Sequence, residues 1–313
     1  MKKLLKNAYY NSAIGHSIID PLFKLRHLYR TRIISEKKYL KRNFEKIFGY
    51  KLNLKNPGTL NEKIQWLKLY NRTPLHTKCA DKFAVREYVM EKIGQEFLIP
   101  LIYHTKNPLD IQPGNLPDFP VIIKTTHDSL GTGNIIVKDK SKINWQNVQN
   151  HLKKLLLRNF YHATKEWQYK NIEPGIIVEK LLLDRDGCVA KDYKFECINN
   201  KVVMINVDQN KEIKHLRNNY SADWELLPVL WPKELKNGED IVRPIQLSKM
   251  IALAETLSEP FCFVRIDFYY LDEKIYFGEM TFHPTGGFGK FEPAVWDEKL
   301  GNMLKLPSKN EFS

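Results

Sequence analysis

The chain has 313 residues, 43% hydrophobic and 12% aromatic, enough for a large core in two or three lobes and too apolar for a disordered polymer. No stretch reaches the roughly 18 apolar residues of a membrane helix, and the basic start lacks the apolar centre of a signal peptide. A cytoplasmic protein is expected, with peripheral attachment at the inner face of the membrane as an added option. Of the net charge of +13, residues 1–51 supply +10, from thirteen Lys or Arg against Asp20, Glu36 and Glu45.

That basic segment, taken as residues 1–55, interleaves its charges with Tyr9, Tyr10, Ile14, Ile18, Leu22, Phe23 and Leu28 at helix-compatible spacings. Two readings stay open: a helix lying on an anionic membrane surface through residues 1–50, or a helical hairpin with solvated charges. No segment matches a nucleic-acid-reading motif, and no nucleic-acid partner is expected. The cysteines Cys79, Cys188, Cys197 and Cys262 lack CxxC spacing, so neither a zinc site nor a disulfide framework is indicated.

After the break at Asn56-Pro57-Gly58, Thr59 or Asn61 caps a helix running to Tyr70. A second helix opens at Asp81-Lys82-Phe83 and ends at Gly94, and a short strand follows at 97–103; Lys82 alone reads as an exposed helix lysine. Residues 56–118 thus form a mixed segment ahead of the next lobe. Two strands then flank the loop Thr126 to Gly133, whose Ser129, Gly131 and Gly133 let backbone N–H groups approach phosphate oxygens. Lys124, at the end of the first of these strands, would set its ammonium at the loop mouth. The spacing is neither a P-loop nor a dinucleotide fingerprint, and a plain hairpin turn fits as well.

Residues 119–175 read as a small lobe with an amphipathic helix over 141–159, and residues 176–313 as a larger one. A strand over 175–183, a turn at Asp184-Arg185-Asp186-Gly187, and strands over 190–198 and 202–207 are expected to form an antiparallel meander. A helix over 243–257 leads to a hairpin whose strands carry Arg265, Asp267 and Glu279 at polar positions. Pairing would bring both carboxylates to one face, the oxygen chemistry that magnesium takes together with substrate phosphates. An ordinary hairpin with solvated charges is the plain alternative. The whole reads as an α+β protein of two or more lobes.

In this order, Asp81-Lys82, Lys124 with its glycine-rich loop, Ile177-Val178-Glu179-Lys180, Lys194, Arg265-x-Asp267 and Glu279 resemble the ATP-grasp fold, in which two α+β lobes clamp ATP. More narrowly, TLNEKIQWLKLYNR, DKFAVREYV, DYKFEC and GEMTFHPTGG resemble the TupA-like ATP-grasp family, named for a teichuronopeptide-synthesis protein and met with in surface-polysaccharide gene sets. The resemblance covers about two thirds of the chain. It implies an ADP-releasing carboxylate–amine ligase that uses ATP and one or two Mg2+ ions and forms an amide through an acyl phosphate. The implied substrates are a carboxyl-bearing glycan and an amine or amino acid.

The same resemblance assigns roles. Lys82, Lys124 and Lys194 contact phosphates, with Ser129, Gly131 and Gly133 closing over them. Glu179, Lys180 and Leu182 hold adenine, largely through backbone groups, and Asp184 or Asp186 meets the ribose. Asp267 and Glu279 bind magnesium and Arg265 stabilises the transferring phosphoryl group. Thr281 stands where many ATP-grasp enzymes have a metal-binding asparagine, which puts a second metal in question. His283 is a further candidate ligand or base. A glycosyltransferase, for which Asp184-x-Asp186 would be the metal motif, and a degenerate ATP-grasp binding protein are the alternatives.

Overall fold

The computed structural model describes residues 33–128, 133–209 and 215–308. The chain divides into two compact units, Met1–Lys51 and Leu52–Ser313. In the first, helix α1 spans Glu36–Phe48 and ends at Gly49, whose left-handed backbone (φ 85°) lets its N–H reach Glu45 O at 2.9 Å. Phe44 and Phe48 stack at 4.4 Å between ring centroids. The expectations for residues 1–32 lie outside the described residues. Among those described, no helix is long and apolar enough to cross a membrane.

The second unit opens with α2 (Leu60–Tyr70), started by a capping box in which Thr59 accepts from the Glu62 N–H and Glu62 accepts from the Thr59 N–H. Helix α3 (Pro74–Ala80) begins on a proline, which needs no donor at that position. Helix α4 is shorter than the sequence suggests, Val85–Lys92. The Asp81 carboxylate accepts from the N–H groups of Phe83 and Ala84, which holds residues 81–84 in a turn before the helix begins.

Strands β1 (Leu101–Thr105), β2 (Val121–Thr125), β3 (Ile135–Val137) and β4 (Ile176–Lys180) form an antiparallel four-stranded sheet in the order β1-β4-β2-β3. Helix α5 (Trp145–Leu156), narrower than the expected 141–159, packs Leu152 into its core. Two sequence expectations are corrected here. The strand after residue 175 does not start the meander, and a lobe boundary at 175/176 does not follow the sheets. The reason lies in β4 itself: its apolar residues are buried on both faces, so its stable place is between two partners, and β1 and β2 supply them.

The meander is real but begins one strand later. Strands β5 (Asp192–Ile198), β6 (Lys201–Gln209), β7 (Leu216–Tyr220), β8 (Phe263–Leu271) and β9 (Lys274–Thr281) build an antiparallel sheet in the order β7-β6-β5-β8-β9. Tyr193, Phe195, Ile205, Val207, Val264, Ile266 and Phe268 bury one face in the main core, where helix α6 (Leu247–Ser258) adds Met250, Ala254 and Leu257. Period-two alternation turns the intervening side chains to the opposite face.

Candidate active site

That opposite face carries the charged residues. Across it the register aligns Asn219, Asn206, Lys194, Asp267 and Glu279, one residue from each strand. Asp267 and Glu279 are direct cross-strand partners, as the hairpin pattern predicts. The next row holds Glu196, Arg265 and Thr281.

Arg265 grips Asp267 with its fork, Nε to Oδ1 at 2.6 Å and Nη2 to Oδ2 at 2.7 Å, and reaches Glu279 Oε1 at 3.2 Å. Such bidentate pairs are short and directional. Lys194, 6% exposed, stands among carboxylates of Asp192 (2.5 Å), Asp208 (3.2 Å) and Asp267 (3.6 Å). Burial alone would lower its pKa, yet those three carboxylates hold it above the ordinary lysine value. Desolvation likewise pushes Glu279 up, but Lys82, Arg265 and Lys194 outweigh it and keep the carboxyl below its usual range. Thr281 Oγ1 lies 3.4 Å from Glu279 Oε1, close enough to add a neutral oxygen.

Glu196 behaves oppositely. Its Oε2 is buried without a partner, and desolvation raises its pKa to about 8 against the opposing pull of Arg265. Between the ordinary carboxylate range and pH 8 the folded chain therefore holds a proton that the unfolded chain has lost, so this residue lowers stability as pH rises. Glu196→Gln should remove that slope. In urea melts of the metal-free protein, the variant should gain on the wild type between about pH 5 and about pH 9 by on the order of a few kcal/mol.

The four-stranded sheet contributes Lys124 from the end of β2. Its Nζ lies 2.9 Å from Glu179 Oε2, while Arg86 of α4 binds Glu179 Oε1 at 2.8 Å and Ile99 O at 2.9 Å. Two cations thus share one carboxylate, and the cluster keeps a net positive charge beside the glycine-rich loop. The Glu179 side chain is committed to this cluster, and its backbone lies inside the sheet, opposite Leu101 of β1 and Ile122 of β2. The N–H groups of Lys180 and Leu181 go to Pro100 O and Pro120 O, and Leu182 O accepts from Ala190.

Lys82 approaches from the turn before α4. Its backbone N–H binds Thr126 O at 3.0 Å and its ammonium donates to Asp128 O. It lines a small cavity together with Tyr169 and Glu279, so the two sheets bring it to the candidate metal pair. Burial lowers its pKa. Ser129 and Gly131 lie outside the described residues. Gly133 packs close, since a Cβ there would stand 2.7 Å from Thr125 Oγ1, itself a buried hydroxyl without a partner. The Gly133 N–H donates to Asp128 Oδ2 at 2.8 Å, so that donor is committed within the chain.

Other expected residues fall elsewhere. His283 is buried with Gln168 Nε2 at 3.1 Å from its Nδ1 and Glu166 Oε1 at 3.7 Å. Its contacts are thus with the 166–168 segment, and desolvation drives its pKa well below the ordinary value. Asp184 accepts from the N–H groups of Asp186 and Cys188, so the Asp-Arg-Asp triplet closes a turn and Asp186 is exposed. Sequence reasoning missed Arg86, Tyr169, Glu196, Asp208 and Arg217, the last bound to Asp208 at 2.6 and 3.0 Å. Alternation along β5 and β6 could have flagged Glu196 and Asp208; nothing local marks Arg86 or Tyr169.

An antiparallel sheet bearing this charged row, faced by a second sheet with lysines at a glycine-rich loop, defines an α+β protein built around an anion-and-cation site. The TupA-like ATP-grasp family model matches residues 62–305, and the chain belongs to that family; its fold is the ATP-grasp fold. No curated protein matches the chain by sequence. Among solved structures it is similar to an L-amino acid ligase from Bacillus licheniformis, at 14% identity and TM-score 0.48, over 90% of this chain and 65% of the other. The D-alanine–D-alanine ligase of Bacillus anthracis gives 16% identity and TM-score 0.36, over 65% of this chain and 56% of the other. An ATP-grasp ligase, PsnB, solved with a precursor variant, Mg and ADP, gives 10% identity and TM-score 0.39, over 71% and 58%. The chain spans less than two thirds of the length of each of these three.

Proposed function

We propose that the protein is an ATP-dependent carboxylate–amine ligase that forms an amide through an acyl phosphate and releases ADP. The observation that carries the reading is the cross-strand pair Asp267 and Glu279, with Arg265 on both carboxylates and Lys82 at the same cavity. Two carboxylates and the Thr281 hydroxyl make an all-oxygen donor set, which fits magnesium completed by substrate phosphates. When bound there, the ion would neutralise charge on the transferring phosphoryl group.

The chain's own residues would do the rest. Lys82 and Lys124 would hold the ATP phosphates, and Arg265 would meet the charge that develops on the phosphoryl oxygens. A carboxylate oxygen of the acid substrate would attack the γ-phosphorus, and the bond to the β-phosphate oxygen would break to release ADP. The family resemblance suggests a carboxyl-bearing glycan as the acid. The glycosyltransferase reading is disfavoured by the commitment of Asp184 to its turn. A degenerate binding protein is disfavoured because the lysines Lys82, Lys124 and Lys194, Arg265 and both carboxylates Asp267 and Glu279 are retained.

The test is ADP release from the full chain with ATP, Mg2+ and a panel of acids and amines. Release that depends on both an acid and an amine is the expected result. AMP release, or turnover of free nucleotide-sugar in its place, would sink the ligase reading.

A further inference from the structure

One buried ion cluster on the charged sheet face has no part in holding ATP or metal. Asp208 of β6 and Arg217 of β7 are cross-strand partners, 5% and 8% exposed. The guanidinium grips the carboxylate with its fork, Nε to Oδ1 at 2.6 Å and Nη2 to Oδ2 at 3.0 Å, and its Nη1 donates to Trp231 O at 3.3 Å. That carbonyl belongs to a buried tryptophan stacked on Phe291 and bound through its indole N–H to Gly289 O at 3.1 Å. His215 Nε2 adds a contact to Asp208 Oδ1 at 3.1 Å. Asp208 is thus fixed in place from the β7 side, because a bidentate pair sets direction as well as distance.

The other neighbour of Asp208 is Lys194. The cross-strand partner of Lys194 on β8 is Asp267, yet its ammonium lies farther from that carboxylate, at 3.6 Å, than from Asp192 at 2.5 Å and Asp208 at 3.2 Å. A buried ammonium settles where carboxylates balance it, since an unbalanced charge away from water is costly. Asp192 and Asp208 therefore compete with Asp267 for Lys194, and they hold it at the shorter distances.

That balance bears on the candidate metal pair. A carboxylate that serves a hard cation must offer it an oxygen, and an ammonium closed onto Asp267 would occupy that oxygen with a charge of its own. Drawn back toward Asp208, Lys194 keeps its charge beside the site for phosphate oxygens without closing on Asp267.

We propose that Asp208, braced by Arg217, is a positioning residue that keeps Lys194 off Asp267 and so maintains the affinity of the site for the metal–nucleotide complex. The proposal rests on the ligase reading and deepens it, since it gives a task in the same site to two buried charges that act through Lys194.

The test is calorimetric titration of the full chain with AMPPNP, once in excess Mg2+ and once in EDTA. The ratio of the two affinities measures what the metal adds. Asp208→Asn should lower that ratio about tenfold or more while the affinity in EDTA does not fall. In a Lys194→Met background the same substitution should leave the ratio within about twofold, because residues that act through one another are not additive. Asp208→Asn strands the buried Arg217, so Asp208→Asn combined with Arg217→Met, which removes both charges of the clamp, is the second variant if the first does not fold. It should lower the ratio in the same way.

A ratio equal to that of the wild type would overturn the proposal. An equal fall in Mg2+ and in EDTA would reduce Asp208 to a support for the fold, and a fall that persists in the Lys194→Met background would show that Asp208 acts by its own charge; either result overturns the positioning role. If the wild type itself binds AMPPNP no better in Mg2+ than in EDTA, the ligase reading fails, and the positioning role with it.

Discussion

Glu279→Gln is expected to lower acid- and amine-dependent ADP release by about 10³-fold or more while leaving the fold intact. The activity loss follows from removing one of two anionic oxygen donors of a hard cation, whose charge neutralisation is worth several kcal/mol in phosphoryl transfer. The fold should survive because the Glu279 side chain is 41% exposed and its Arg265 contact is the longer one, at 3.2 Å. Thermal melting should therefore shift by only a few degrees, about the effect of one partly solvated ion pair. The paired control is Asp184→Asn with Asp186→Asn, which should leave turnover near the wild-type rate because that triplet forms a turn. Activity lost in the control and kept in Glu279→Gln would reverse the assignment.

Arg265→Met should damage both stability and activity. Arg265 supplies two short hydrogen bonds to Asp267, which is 4% exposed. Deleting the guanidinium strands a buried carboxylate with Lys194 at 3.6 Å as its nearest cation. Breaking a buried pair in this way costs about 3–5 kcal/mol, equivalent to a melting temperature lower by about 10 °C for a unit of this size. The loss of a cation at the transferring phosphoryl group should cost turnover about 10³-fold. Arg265→Lys separates the two effects: it keeps a charge for Asp267 but loses the fork, so melting should recover more than turnover does. Melts and ADP release measured on both variants check this. A Lys variant with wild-type turnover would show that Arg265 acts only on Asp267.

Much of the fold was legible along the chain. The capping box at Thr59, the hairpin closing at Asp272-Glu273, and the alternation that places Asp267 and Glu279 on one face are local signals, since period and turn chemistry repeat within a few residues. The partner of β4 was not legible, because an apolar strand buried on both faces is equally compatible with either sheet. Arg86 shows the same limit for the site. Its side chain reads as an ordinary helix charge, and only the approach of α4 to β4 makes it a partner of Glu179. His283 read as a candidate ligand beside the strand of Glu279, and the fold sets it against Gln168 and Glu166.

By itself, then, the sequence determined the order of the charged residues and the face each takes on its strand, because side-chain direction in a β-strand alternates with every residue. It also carried the family, through residue types at ordered positions. Tertiary structure alone decided which charges meet. Register across β5, β8 and β9 joined Lys194, Asp267 and Glu279, and the packing of α2 against the turn at 285–287 set Lys68 against Gly286 O. Those encounters depend on chain segments far apart in sequence, whose approach is settled by burying the apolar faces behind them.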